Sequence, residues 1–487
     1  MNLWTSNLAA LRAVMAAFPP LESHTPQQAL SVDEIYFPSS HAAALDPDRS
    51  LVIGNRGMGK SYWASALVDP NARKRIADTL RSSRHDLGDF VVEFGFVDGE
   101  GAIGISRDEL ANLVNRGFST EHIWRAVVLP HIAQRIERKV PETRQACVEW
   151  VQREPEQVRE LLRTADAKLH ETKGKLIFVF DQLEQLADEL TQRAELTRGI
   201  LRLALAFKSY RALRVKIFMR PDHYADDGLF AFPDASKIKG EKVVLDWRNT
   251  DLFGLLYTRL LQAEPEAFNN VLERVHLSAS DGNLPRSLME DEEQQHKVFA
   301  VLAGQYLGAM RSGRPYTWLF THLADARNQV SPRSFLRALK YAAEARPEPV
   351  EQAIDKNGIH EGVRHASRNR VEDLQEDYPW VPPALDALRG LLVPCLPGEM
   401  LDQWEHADQL MERLRNKTPE AKRPPWLLSS DLRARSAFEA LLKFMGDIGV
   451  IEIRQTTGKV DVPDIFRLPA GIKRKGGITQ QQRSRFG

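Results

Sequence analysis

Short runs of consecutive apolar residues punctuate the first half of the chain, separated by longer stretches in which apolar positions recur every three or four residues. Leu51-Val52-Ile53, Phe90 to Phe96, Lys175 to Phe180 and Leu213 to Met219 have the length and the β-branched and aromatic content of strands. Runs this apolar suit strands buried on both faces, the condition of a parallel sheet covered by helices. Between them, Tyr62 to Val68, residues 107–170 and Leu196 to Phe207 carry Leu, Ala, Arg and Glu at helical spacing. The alternation predicts an α/β fold with three layers and a central parallel sheet.

The pattern changes further along. Residues 261–345 read as a helical lid, and Ala345-Arg346-Pro347-Glu348-Pro349 as a linker into a helical region over 346–424. Within it, Gly362 to Val371 is locally basic and Glu372 to Asp377 locally acidic, which fits a solvated helix face or a contact with nucleic acid or a neighbouring subunit. In 425–487, Phe438 to Gly446 predicts a helix, Val450 to Arg454 a strand, Gln455 to Lys459 a turn and Val460 to Arg467 a returning strand. Helix followed by hairpin looks like the end of a winged-helix domain, a fold that binds DNA or protein. The tail from Ile472 through Arg483 and Arg485 is basic and suits either phosphate contact or a solvated terminus.

Composition narrows the class without choosing a function. The 487 residues allow two or three domains, with residues 1–50 as an amino-terminal helix and lead-in and 51–260 as the first large core. A hydrophobic fraction of 43% and a charged fraction of 27% are those of a soluble globular protein. Lys plus Arg balances Asp plus Glu at 66 each, so any nucleic-acid binding must come from a local patch. Cys147 and Cys395 stand far apart without metal spacing, which fits a reducing cytoplasm and excludes a disulfide framework. The first twenty residues read as a short packed helix rather than a signal peptide, and no apolar run is long enough to span a membrane.

The chemistry begins at Gly54-Asn55-Arg56-Gly57-Met58-Gly59-Lys60-Ser61, which satisfies G-x-x-x-x-G-K-[ST] between a strand and the helix opening at Tyr62. A triphosphate needs inward-pointing backbone N–H groups, and glycines permit the positive φ and the close approach such a nest requires. Lys60 would meet the β- and γ-phosphates, and Ser61 would ligate Mg²⁺. Lys175 to Phe180 ends in Asp181, where a carboxylate emerges at the ligand-binding edge of an open sheet and would share the metal. Glu184 or Gln182 would orient the attacking water, although Glu184 also suits a solvated helix start. Arg220, at the end of Leu213 to Met219, would sense the γ-phosphate or pair with Asp222 or Asp181. Tyr36, Phe37 and Pro38 either flank the base or simply pack.

GNRGMGKS, FVFDQLEQL and KIFMRPD, followed by Val243 to Trp247 and Asp251 to Arg259, together resemble the STAND and KAP branch of AAA-like P-loop ATPases. Where that branch has a second acid directly or shortly after the metal-binding Asp, this chain has Gln182 and Glu184, so the resemblance implies ATP binding more firmly than fast hydrolysis. It also implies a lid arginine at the nucleotide, Arg333 or Arg286. Arg333 is favoured because Pro332 can open a helix with an apolar face through Phe335, Leu336 and Leu339. A homo-oligomeric switch acting beside an effector protein, as in bacterial antiviral defence, is the further implication. The alternative is an ATP-dependent DNA-binding regulator or transposition-type adaptor, with DNA held by the C-terminal region.

Overall fold

A computed structural model describes residues 3–18, 36–79, 90–96, 104–280, 282–308, 313–420, 423–428 and 435–475. Five strands, β1 (Leu51–Ile53), β2 (Phe90–Phe96), β3 (Lys175–Phe180), β4 (Leu213–Met219) and β5 (Val243–Val244), form one sheet in the order β2-β3-β4-β1-β5. Every pairing is parallel. The expected α/β fold with a parallel sheet is thus the observed one. Burial explains it: Phe178, Phe180, Leu51, Ile217 and Trp124 have essentially no exposed surface, so the strands can only be stable between helical layers.

The helices Thr120–Arg135 and Leu190–Phe207 cover one face and pack closely. Gly199 makes that approach possible, because a Cβ there would lie 2.8 Å from Thr120 Oγ1 and from the Trp124 ring. Trp124 Nε1–H donates to Leu196 O at 2.8 Å, which satisfies the indole inside the core. Lys216, also fully buried, directs its ammonium to the carbonyl oxygens of Asp46 and Arg49, tying the turn before β1 to β4. Burial pulls its pKa down to about 7, against the opposing pull of Asp46 and Asp48.

The chain divides into two compact units, Leu21–Asp246 and Met1–Pro20 with Trp247–Gly487. The helix Leu3–Ala16 belongs to the second of these, where Arg12 donates to Ala353 O at 2.8 Å and meets Glu348 at 2.8 Å. The helices Asn249–Ala263, Pro315–Leu323, Pro332–Glu344 and Lys356–Asp377 build its core around Phe253, Tyr257, Phe299 and Phe335.

Further along lie β6 (Leu392–Val393), β7 (Glu452–Ile453), β8 (Val460–Asp461) and β9 (Lys473–Arg474). The helix Arg435–Asp447 leads into the antiparallel hairpin β7-β8, and Cys395 bridges to Val460, so the hairpin is sewn to the segment after β6. The returning strand expected over Val460 to Arg467 is shorter than the pattern predicts: Asp464–Ala470 is a helix. Pro463 cannot donate to a ladder and ends the strand, and Asp464 occupies the first helical turn, where a carboxylate is favoured. Ile465 and Phe466 are then buried by helical rather than strand geometry. The tail beyond Lys475 and the Pro-rich connection after Phe18 lie outside the described residues. Among the described residues, no helix is long and apolar enough to cross a membrane.

Candidate nucleotide site

Backbone conformation shapes the loop between β1 and the helix Lys60–Val68. Gly57 and Gly59 have φ of 83° and 97°, values an L side chain rarely adopts, so these glycines are required by conformation. Gly54 does not use a positive φ. Its requirement is close approach, since a Cβ there would meet Lys60 Cγ at 3.3 Å and the Leu245 side chain at 3.4 Å. Met58 and Asn55 are buried, and Met58 N–H donates to Asn55 O at 3.2 Å, folding the loop back on itself. Lys60 Nζ donates to Asn55 O at 3.3 Å. Arg56, Ser61 and Tyr62 are half-buried, and the Tyr62 ring meets Trp63 edge-on at 5.2 Å.

Behind the loop, Trp63 is buried and its Nε1–H donates to His41 Nδ1 at 3.0 Å. The indole can only donate, so Nδ1 accepts and the proton sits on His41 Nε2, which donates to Asp246 O at 2.9 Å. Phe37 packs on Trp63 at 5.2 Å, against the helix that presents Ser61, and Tyr36 is buried.

Asp181 follows β3 and is 1% exposed, with neither carboxylate oxygen making a well-formed hydrogen bond among the described residues. Burial pushes its pKa up from 3.8 to about 6; the Ser61 hydroxyl, the Lys60 ammonium and the Gln182 backbone N–H pull it back, and Glu184 raises it further. Lys60, Ser61 and Glu184 thus all act on the same carboxylate. A buried, unsatisfied carboxylate beside a Ser hydroxyl is the donor set a hard divalent cation accepts, so the residues fit Mg²⁺. No group of three or more His, Cys, Asp or Glu side chains among the described residues could form an all-protein cage. Phosphate oxygens and water would therefore complete the coordination.

Strand order brings the other residues to this edge. β4 lies between β3 and β1, with Ile53 beside Met219 and Gly54 N–H donating to Met219 O at 3.1 Å. Arg220 therefore emerges between the loop and Asp181. Its Nε and Nη2 donate to the two oxygens of Asp222 at 3.2 and 3.0 Å, and its side chain is 9% exposed. The ion pair with Asp222 expected from the sequence is formed.

Gln182 adopts a left-handed conformation, φ 56°, directly after the carboxylate, a strained state for a non-glycine residue. It turns the chain into the short 3₁₀ helix Leu183–Gln185, which leaves Glu184 half-buried near Asp181. His223 is a neighbour that sequence reading missed. Burial lowers its pKa first, with Asp222 and Glu184 opposing and Arg220 and Arg193 reinforcing. The polar run after β4, Arg220 to His223, was its only sequence signal. Arg333 sits in the other compact unit, 3.7 Å from Asp373, and Arg286 is exposed and pairs with Glu290 at 3.1 Å.

No protein-family profile matches this sequence, and no curated protein matches it. Solved structures do. CDC6P from Pyrobaculum aerophilum aligns over 94% of this chain and 96% of its own at 12% identity, with a TM-score of 0.28. The ORC2 protein of Aeropyrum pernix, solved as ADPNP–ADP complexes, aligns over 94% and 98% at 12% identity and a TM-score of 0.29. The ORC1 protein of Aeropyrum pernix, solved in complex with DNA, aligns over 98% of each chain at 13% identity and a TM-score of 0.34. At such scores the likeness adds nothing to what the loop and the sheet already show, a glycine-rich phosphate-loop motif at the edge of a five-stranded parallel sheet.

Proposed function

We propose that the chain binds Mg²⁺·ATP between the Gly54–Ser61 loop and Asp181 and hydrolyses it slowly, using the nucleotide state as a switch. The observation that carries this reading is a buried carboxylate, Asp181, neither oxygen of which makes a well-formed hydrogen bond among the described residues, at the same sheet edge as the glycine loop. In this reading the loop N–H groups and Lys60 hold the phosphates, while Ser61 and Asp181 hold the ion, whose chemistry would be to neutralise charge developing on the β- and γ-oxygens. Glu184 or Gln182 orients water, and Arg220, fixed by Asp222, faces the γ-phosphate. Replacing Lys60 by Ala tests it. Nucleotide affinity should fall at least tenfold with the circular dichroism spectrum unchanged, and undiminished affinity in a calorimetric titration rejects the assignment.

The finer reading is a homo-oligomeric switch whose lid arginine, Arg333 or Arg286, and C-terminal region respond to ATP and engage an effector protein, in antiviral defence. It rests on the motif resemblance. A DNA-binding regulator is the second reading, supported by the helix Arg435–Asp447 and its hairpin. The charge on that helix favours a protein partner instead: Arg435 is engaged by Asp402 and Glu405 at 3.0 and 2.9 Å, and Glu439 and Asp447 offset Lys443.

A further inference from the structure

The helix Lys356–Asp377 has two unlike faces. On one, Gly358, Gly362 and Ala366 are buried against the helix Pro332–Glu344. A Cβ on Gly362 would fall 2.0 Å from Ala338 O, and one on Gly358 2.5 Å from Ala342 O, so the two backbones are nearly in contact. Two residues' offset is about 200° around a helix, which turns Lys356, His360, Arg364 and Arg368 to the opposite side. These four repeat at i, i+4, i+8 and i+12 along about 18 Å of helix axis.

Lys356, Arg364 and Arg368 are exposed and form no ion pair among the described residues. They lie along an open surface depression of about 450 Å³ lined by this one helix, in which Glu361 is the single acid. The imidazoles on that surface are held by stacking. His360 lies against Trp318 at 4.6 Å, Trp318 carries His322 on it at 3.9 Å, and His365 stacks on Tyr341 at 4.3 Å with 18° between the planes. The pKa of His360 is lowered by burial first, and then by Lys356, Arg364 and His322.

We infer that this ridge is a docking surface for the phosphodiester backbone of a nucleic acid. Three exposed cations, Arg364 and Arg368 one helical turn apart and Lys356 two turns before Arg364, stand in a row on a rigid, backbone-packed helix and face a regularly charged polymer, which offers about one phosphate per 3.4 Å along each strand. An acidic protein partner would need apolar anchors at the centre of its contact. None of the large apolar side chains exposed among the described residues lies on the ridge. The residues of the ridge belong neither to the phosphate loop nor to the hairpin β7-β8.

The test uses the full chain with Mg²⁺ and ATP, and a fluorescein-labelled 30-base-pair duplex and the matching single strand, followed by anisotropy between 50 and 200 mM salt. The wild type should bind at least one of the two, with affinity falling steeply as salt rises. The triple variant Lys356→Ala, Arg364→Ala, Arg368→Ala should bind at least tenfold more weakly at 50 mM salt. Its log–log salt slope should be smaller by about 2.7 on duplex, or about 2 on single strand, three phosphate contacts having been lost. Retained ATP turnover and an unchanged melting curve confirm that the variant is folded, and Arg364→Glu alone should weaken binding in the same direction. No wild-type binding to either probe, or wild-type affinity and slope in the triple variant, overturns the inference. So does ridge-dependent binding of poly-glutamate without nucleic-acid binding.

Discussion

In the proposed site, function and stability oppose each other at one side chain, Asp181. Its folded pKa is about 6 against 3.8 outside the fold, so the group favours the folded state fully below pH 3.8 and loses that advantage as pH rises through about 6. The difference corresponds to about 3 kcal/mol at neutral pH. Asp181→Asn should therefore stabilise the nucleotide-free protein by up to this amount at pH 7.5, with little gain at pH 4, as read from urea melts. The same variant should lose ATP turnover, because a neutral amide cannot hold the metal. Glu184 and Gln182 call for separate variants. Glu184→Gln should bind ATP normally and turn it over at least tenfold more slowly; undiminished turnover, with loss in Gln182→Ala, would move the water-orienting role to Gln182. Spacing made Lys60, Ser61 and Asp181 legible, since the loop motif and a strand ending in an acid are local patterns. His223 was not legible, because nothing local ties a histidine after β4 to an acid after β3.

Elements are decided by burial more than by local preference. The strands read from apolar runs are observed at Lys175–Phe180 and Leu213–Met219, covered on both faces, and at Phe90–Phe96 on the sheet edge, where buried residues alternate with the half-buried Val91 and Glu93. Ile465-Phe466-Arg467 has strand composition and is helical, since Pro463 closes the ladder and the packing site behind it accepts a helix. The pair of helices Pro332–Glu344 and Lys356–Asp377 gives a sharper test of packing over propensity. Gly362→Ala favours the helix by about 1 kcal/mol in isolation. Here the added Cβ would lie 2.0 Å from Ala338 O, a backbone atom with little freedom to move. The variant should lose about 1–3 kcal/mol of stability, measured by denaturant unfolding.

For the whole molecule, the division at Asp246 and Trp247 separates the unit holding the phosphate loop from the one holding Arg333 and Arg286. A switch built on this chain must carry the nucleotide state from the first unit to the second or to a neighbouring copy. Light scattering should show a larger mass with a non-hydrolysable ATP analogue than without nucleotide, and Lys60→Ala should remain at the smaller mass. Equal masses in every condition would remove the oligomeric part of the proposal while leaving ATP binding intact.

By itself the sequence determined the chemistry that depends on neighbours along the chain: the glycine nest, its lysine and serine, the acid at the end of an apolar strand, and the helices between. Each is local because a phosphate cradle or a strand end is built within a few residues. Only the tertiary structure decided that β4 lies between β3 and β1, bringing Arg220 to the same edge as Asp181 and Gly54. It also decided that Leu3–Ala16 joins the residues after Trp247, and that Gly358 and Gly362 turn a basic ridge outward. These arrangements follow from which surfaces bury each other across hundreds of residues, a competition among packings that no local pattern of residues records.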